Sequence, residues 1–165
     1  DAIVGVAREG HMAILIGEAL GHLGQSALLA EVFNRVEGDA PPVDLVAEKK
    51  HGEFILENAA WVTACTDISD GGLALAAFEM AEEACVGVSL DSEDTAELFG
   101  EDQARYLVAC NFDQAEALMA AAGKSGVPVA CVGSFGGTQV RFGSSQAELA
   151  ELSKIFRSSF AAAVT

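Results

Sequence analysis

The chain has 165 residues, a formal net charge of −16, 51% hydrophobic and 21% charged residues. That balance fits one globular domain with a real core and excludes a disordered chain. The acidic charge argues against a nucleic-acid footprint and an anionic membrane surface, and no apolar run is long enough to span a bilayer.

In chain order, residues 1–11 carry little pattern and read as a linker, so the domain proper is expected over 12–165. No secretory signal is visible, and the start at Asp1 without Met reads as a piece of something longer. Met12–Ile16 is a compact apolar run, expected as a buried strand. Gly17, Gly21 and Gly24 then punctuate a loop ending at Ser26, which can cap a helix over residues 27–34. A glycine-rich loop feeding a helix start can cradle phosphate, although this one is neither a Walker loop nor G-x-G-x-x-G. Most such loops are turns.

Residues 38–42 form a turn. Asp44 is expected to cap a helix over 45–51 that resumes after Gly52 through Ala60. Lys49, Lys50 and His51 read as a solvated basic face.

The stretch from Trp61 to Ala84 reads as strand, acidic turn and helix. Trp61–Thr66 suits a buried strand. Asp67, Ser69, Asp70, Gly71 and Gly72 break it, with Ser69 or Asp70 as the expected N-cap. Leu73, Ala76, Ala77, Met80, Ala81 and Ala84 recur at helical spacing. Two readings of the turn stay open: a capped connection, or a ligand turn whose amides face an anion or whose carboxylates face a cation.

Val86–Leu90 alternates as a strand, and 91–95 is an acidic loop. Glu101, Asp102 and Arg105 crowd before a strand over Tyr106–Cys110. They read either as an edge ion pair or as a carboxylate facing a ligand with Arg105 orienting it. Asp113–Glu116 resembles a capping box opening a helix to about Ala122. Strands follow at Val127–Val132 and Thr138–Phe142. Ser145–Glu148 resembles a second capping box, and Leu149, Leu152, Phe156 and Phe160 give the last helix a buried stripe. The alternation predicts an α/β (α+β) layered sandwich with one mixed β-sheet of about six strands. Cys65, Cys85, Cys110 and Cys131 form no C-x-x-C and read as buried free thiols. His11, His22 and His51 are dispersed, which argues against zinc.

Three motifs coincide in order: Gly21-His-Leu-Gly-Gln-Ser26, Asp67-Ile-Ser-Asp-Gly-Gly72 with its Ala-rich helix, and Leu98-Phe-Gly-Glu-Asp-Gln-Ala-Arg105. With Pro41–Leu45 and Cys131–Gly137, they resemble the C-terminal domain of the aminoimidazole ribonucleotide synthetase superfamily over nearly all of 12–160. The Asp67–Gly72 turn is most similar to the second half of the formylglycinamidine ribonucleotide synthase family. The resemblance implies a domain of an ATP-dependent ligase of purine biosynthesis, using ATP and Mg²⁺ in the full-length enzyme and no cofactor in this domain alone. It implies a cytoplasmic setting. The implied partners are N-terminal domains of the same type, a glutaminase and small accessory subunits, with no nucleic acid and no membrane. It assigns no catalytic or metal-ligating residue here. Gly24, Ser26, Asp67, Ser69, Asp70, Gly71, Gly72, Glu101, Asp102 and Arg105 are its candidate substrate- or nucleotide-binding positions. Asp102 stands where the family more often has Ser, and Gly24-Gln25-Ser26 stands for G-G-S. The alternatives are a freestanding small-molecule-binding or scaffold domain, and a thiamine-monophosphate-kinase-like enzyme.

Overall fold

This computed structural model describes residues 5–163, with side chains through residue 159. Seven strands form one sheet: β1 (Met12–Ile16), β2 (Ala64–Asp67), β3 (Val88–Leu90), β4 (Tyr106–Cys110), β5 (Val129–Phe135), β6 (Gln139–Phe142) and β7 (Ser145–Glu148). Their order is β2-β4-β1-β5-β3-β6-β7, antiparallel throughout except for β3 beside β6. The sheet is therefore mixed, as expected from the sequence, with one strand more than expected.

Five α-helices cover it: α1 (Leu45–Glu57), α2 (Gly72–Ala84), α3 (Thr95–Phe99), α4 (Phe112–Ser125) and α5 (Leu149–Ala163). Successive strand residues point to opposite faces, and both faces of the central strands are buried. Ala13 and Leu15 of β1, with Leu107 and Ala109 of β4, join α2 and Leu98 of α3 in one core. Ile14 and Ile16, with Val108 and Cys110, join Phe54 and Ile55 of α1 and Leu118 of α4 in the other. This double burial is why Met12–Ile16 and Tyr106–Cys110 lack polar alternation, and why both runs match their strands to the residue.

Several boundaries differ from expectation for local reasons. Trp61 belongs to a 3₁₀ turn over Ala59–Trp61, so β2 starts at Ala64. Gly52 does not interrupt the helix begun at Asp44; α1 is continuous, and Asp44 accepts from the Val46 and Ala47 amides as expected. The acidic loop read over 91–95 gives way at Thr95 to α3, because the Asp94 carboxylate caps the Ala96 and Glu97 amides. The capping box of α4 is Asn111 with Gln114, two residues before the one read from sequence, and the helix runs past the expected end near Ala122 to Ser125, with Gly126 as its C-cap. Ser145–Glu148 is not a capping box but β7, hydrogen-bonded along β6. The polar run is tolerated there because β7 is an exposed edge strand. The helix expected over 27–34 is a single π-helical stretch, Leu28–Val32.

In the last helix the expected buried stripe holds only at its start: Leu149 is buried and Leu152 half-buried, while Phe156 is exposed although it packs edge-on against Phe78 with ring centroids 5.3 Å apart. The Phe160 side chain lies outside the described residues. Ala7 is buried in the first core and the Gly10 amide bonds the Phe135 carbonyl, so residues 7–10 lie against the sheet. His51 is not solvated but buried, its Nδ1 2.7 Å from the Ala104 carbonyl oxygen, while the neighbouring Lys49 is exposed. All four cysteines are free. Cys110 is buried and Cys65 half-buried, whereas Cys85 and Cys131 are exposed, contrary to the expectation of uniform burial.

Candidate functional site

The site is built where β2 ends, α2 begins and the 98–105 segment crosses from α3 into β4. The pairing of β2 with β4 sets Asp67 opposite Tyr106. Beyond that register the Ile68 amide donates to the Arg105 carbonyl at 3.0 Å. The acidic turn 67–72 and the loop 101–105 therefore meet at one end of the sheet, as their positions at strand ends predict.

The start of α2 departs from the sequence reading. Neither Ser69 nor Asp70 caps it. The N-cap is Gly71, in the left-handed region at φ +78°, with no side-chain cap of its own. Its amide donates instead to Oε1 of Glu101, thirty residues on, at 2.8 Å. The same Oε1 accepts the Ala27 amide at 2.8 Å, just before the π-helical stretch. One carboxylate thus serves two helix starts, a placement favoured by hydrogen bonding and by the positive end of the peptide dipoles. Gly72 follows from this closeness. Its φ is +64°, and a Cβ there would meet the Gly100 and Leu98 carbonyl oxygens at 2.7 and 2.8 Å. Only glycine lets the two segments touch.

Asp102 holds the other loop. Its Oδ2 accepts the Leu20 and Gly21 amides at 3.0 and 2.9 Å, and its Oδ1 accepts the His22 amide at 3.2 Å. The carboxylate is almost completely buried. Three consecutive amides converging on an anion make a nest. Arg105, only 2% exposed, completes the arrangement. Its Nη2 donates to the Gly100 carbonyl and its Nε to the Asp102 carbonyl. Its Nη1 lies 3.9 Å from Asp102 Oδ2 and, among the described residues, has no hydrogen-bond partner. Burial pulls the Arg105 guanidinium below its usual range, opposed by the Asp102 and Glu101 carboxylates.

Gly24 and Ser26 lie on the loop that these carboxylates fix. Ser26 is buried, and its Oγ accepts the Leu29 amide at 3.4 Å. The amides of Gln25 and Ser26 bond the Glu37 and Leu23 carbonyls. The glycine-rich loop read as a phosphate cradle therefore has the amides of residues 20–22 and 25–27 paired within the chain. Asp67, Ser69 and Asp70 remain exposed on the rim.

Behind the rim, Glu79 has its carboxyl raised by burial and then by Asp67. The Tyr106 hydroxyl donates to Glu48, and burial with that hydrogen bond raises its titration well above normal. Cys65 in β2 is pushed up to about 11 by burial and by Asp67. Sequence reading missed Glu48 and Tyr106 as a pair, since 58 residues separate them and no local pattern joins them. Among the described residues no three His, Cys, Asp or Glu side chains could hold a metal ion.

A cleft of about 530 Å³ opens beside the Asp102 cradle, with Leu20, Val43, Lys50, His51, Asp102 and Gln103 on its walls. Its mouth is apolar and uncovered: Val46 is 78% exposed, Leu20 72% and Val43 69%.

A family model described as "AIR synthase related protein, C-terminal domain" matches residues 8–142. Among curated proteins, "Phosphoribosylformylglycinamidine synthase subunit PurL" of Ruegeria sp. (strain TM1040) is 67% identical over 164 residues, covering 99% of this chain and 23% of that protein. The protein of the same description from Roseobacter denitrificans is 65% identical, again over 99% of this chain and 23% of that one. The chain thus spans about a quarter of the length of these relatives. Among solved structures, "T. maritima PurL complexed with FGAR" superposes with a TM-score of 0.73 at 19% identity, covering 90% of this chain and 29% of that chain. At that identity the likeness speaks for the fold.

Proposed function

Since the chain belongs to the AIR synthase related protein C-terminal domain family, we propose that it is the C-terminal domain of the second half of a phosphoribosylformylglycinamidine synthase large subunit. The observation that carries this reading is 67% identity over 99% of the chain to one quarter of a protein of that description. The whole enzyme then converts formylglycinamide ribonucleotide, glutamine-derived ammonia and ATP to formylglycinamidine ribonucleotide, ADP and phosphate, in the cytoplasm. ATP activates the amide oxygen by phosphoryl transfer, and Mg²⁺ neutralises phosphate charge.

This chain's own residues support a holding role. The amides of residues 20–22, 27 and 71, the natural phosphate donors of the two loops, are bonded to Glu101 and Asp102. As they stand they do not fit a nucleotide phosphate, and we route no step through one here. Of the ten candidate positions, Gly24, Ser26, Gly71, Gly72, Glu101, Asp102 and Arg105 fix the geometry of the loops. Asp67, Ser69 and Asp70 are the side chains proposed to meet a ligand or a neighbouring domain. The uncovered apolar mouth around Val43 and Val46 is proposed to face the N-terminal AIR-synthetase-type domains of the same protein, because large exposed apolar patches mark such contacts. A glutaminase and small accessory subunits complete the proposed complex.

The test is a graft. The chain replaces the matching quarter of the Ruegeria synthase, and product is assayed with formylglycinamide ribonucleotide, ATP, Mg²⁺ and ammonium. Activity near that of the parent is expected from the graft, and none from the isolated chain. An inactive but folded graft, or an isolated chain that turns over at the parent's rate, contradicts the reading.

A further inference from the structure

We propose that α1 is a clamp on the candidate site, with His51 as its positioning residue. The Nδ1–H of His51 holds the Ala104 carbonyl, keeps that residue left-handed, and so sets where Glu101 and Asp102 reach. The proposal does not depend on the enzyme to which the domain belongs.

Three observations converge on it. The first is backbone strain at the end of the site loop. Ala104 has φ +58°, a region that an L-residue enters at a cost. Alanine has neither the freedom of glycine nor the short polar side chain by which Asn and Asp support such a turn. The surrounding structure must therefore hold it there.

The second is what holds it. The buried His51 ring places Nδ1 2.7 Å from the Ala104 carbonyl oxygen. A carbonyl oxygen only accepts, so Nδ1 carries the proton. From the other side the chain at Gly17 lies so close that a Cβ there would meet the same oxygen at 2.5 Å. The Ala104 peptide is gripped between the end of β1 and α1.

The third is the pattern along α1. Glu48 and His51 are three residues apart and share a helix face. Glu48 accepts from the Tyr106 hydroxyl and His51 donates to the Ala104 carbonyl, so the two bonds bracket Arg105. The Arg105 side chain in turn donates to the Gly100 and Asp102 carbonyls. The loop is tied in series: α1 fixes residues 104 and 106, and Arg105 fixes 100 and 102. The carboxylates of Glu101 and Asp102 then reach the amides of residues 20–22, 27 and 71. His51 acts on those amides through the backbone.

Amide hydrogen exchange and backbone ¹³C shifts of the labelled chain test the clamp. His51→Leu keeps the bulk and removes the donor. In it the ¹³C shifts of Ala104 should leave their left-handed values. Exchange at the Leu20, Gly21, His22, Ala27 and Gly71 amides should rise roughly fivefold, the scale of one internal hydrogen bond. Ile55 in α1 and Gln114 at the start of α4 should keep their rates. His51→Asn sets an amide N–H where Nδ1–H stood, and should restore both readouts. Ala104→Gly added to His51→Leu should restore the protection, because glycine holds positive φ without the penalty. One measurement needs no variant: in the wild type at about pH 8, where an ordinary imidazole is neutral, Nδ1 of His51 should show the ¹⁵N shift of a proton-bearing nitrogen. The proposal is overturned if that nitrogen carries no proton, or if His51→Leu leaves Ala104 and the five amides unchanged. It is equally overturned if either rescue fails, or if the loss in His51→Leu spreads evenly to Ile55 and Gln114.

Discussion

The two helices that follow β2 and β4 begin in opposite ways. The start of α4 is settled within four residues: Asn111 accepts the Gln114 amide at 2.9 Å and the Gln114 side chain accepts the Asn111 amide at 3.1 Å. The start of α2 has no side chain of its own to close it, and Glu101 reaches it from thirty residues away. The first is a local device that any sequence with those residues would form. The second exists only once β2 and β4 are paired and the 98–105 segment lies over Gly72. Where a helix start ignores its local capping residues, the chain has committed that start to something distant, and here that commitment gathers the candidate site.

The comparison can be broken hardest at Asp102. Asp102→Ala strips the partner from three part-buried amides and leaves the buried Arg105 guanidinium uncompensated. Breaking a buried pair of this kind costs about 3–5 kcal/mol, so urea unfolding in chloride buffer should show the largest drop in midpoint of the variants considered. Gly72→Ala comes next, at about 1–3 kcal/mol, since a Cβ at φ +64° is strained and meets two carbonyl oxygens. The cost should appear as a lower midpoint at an unchanged denaturant slope. Asn111→Ala is the local counterpart. It should cost about 1 kcal/mol and leave the amide resonances of residues 20–27 and 71 where they are.

The smallest effect is on thiol chemistry, and it separates the same two regions. Cys65 lies in the strand before α2, and Cys110 in the strand before α4. Burial pushes both up to about 11 from 9.0, with help from Asp67 and Cys131 respectively. A thiol that titrates higher in the fold than in the unfolded chain favours the fold below pH 9. That contribution is lost as pH rises from 9 through about 11. At pH 8 a thiol reagent should label Cys85 and Cys131 first, since they are exposed, and Cys65 and Cys110 slowly. Gly72→Ala should speed the labelling of Cys65 and leave that of Cys110 unchanged.

What the sequence made legible follows the same division. Strands buried on both faces announced themselves, as Met12–Ile16 and Tyr106–Cys110 did. The Asp44 cap was readable because cap and amides lie within three residues. The meeting of the 67–72 and 101–105 loops was readable from their places at strand ends. The roles inside that meeting were not. Ser69 and Asp70 have the composition of N-caps, yet tertiary contact gave the position to Glu101. Ser145–Glu148 has the letters of a capping box, yet pairing with β6 made it a strand. His51 sat in a basic cluster, and only the fold brings it to the Ala104 carbonyl. Spacing along the chain carries no term for partners 30 to 82 residues away, and these are the bonds that build the site.

The central claim is that one carboxylate holds two helix starts together, and amide hydrogen exchange on Glu101→Ala tests it most directly. The account predicts that the Gly71 and Ala27 amides lose protection together relative to wild type, while Gln114 and Ala115 at the start of α4 keep theirs. Protection unchanged at both Gly71 and Ala27, or lost at only one of them, would contradict it.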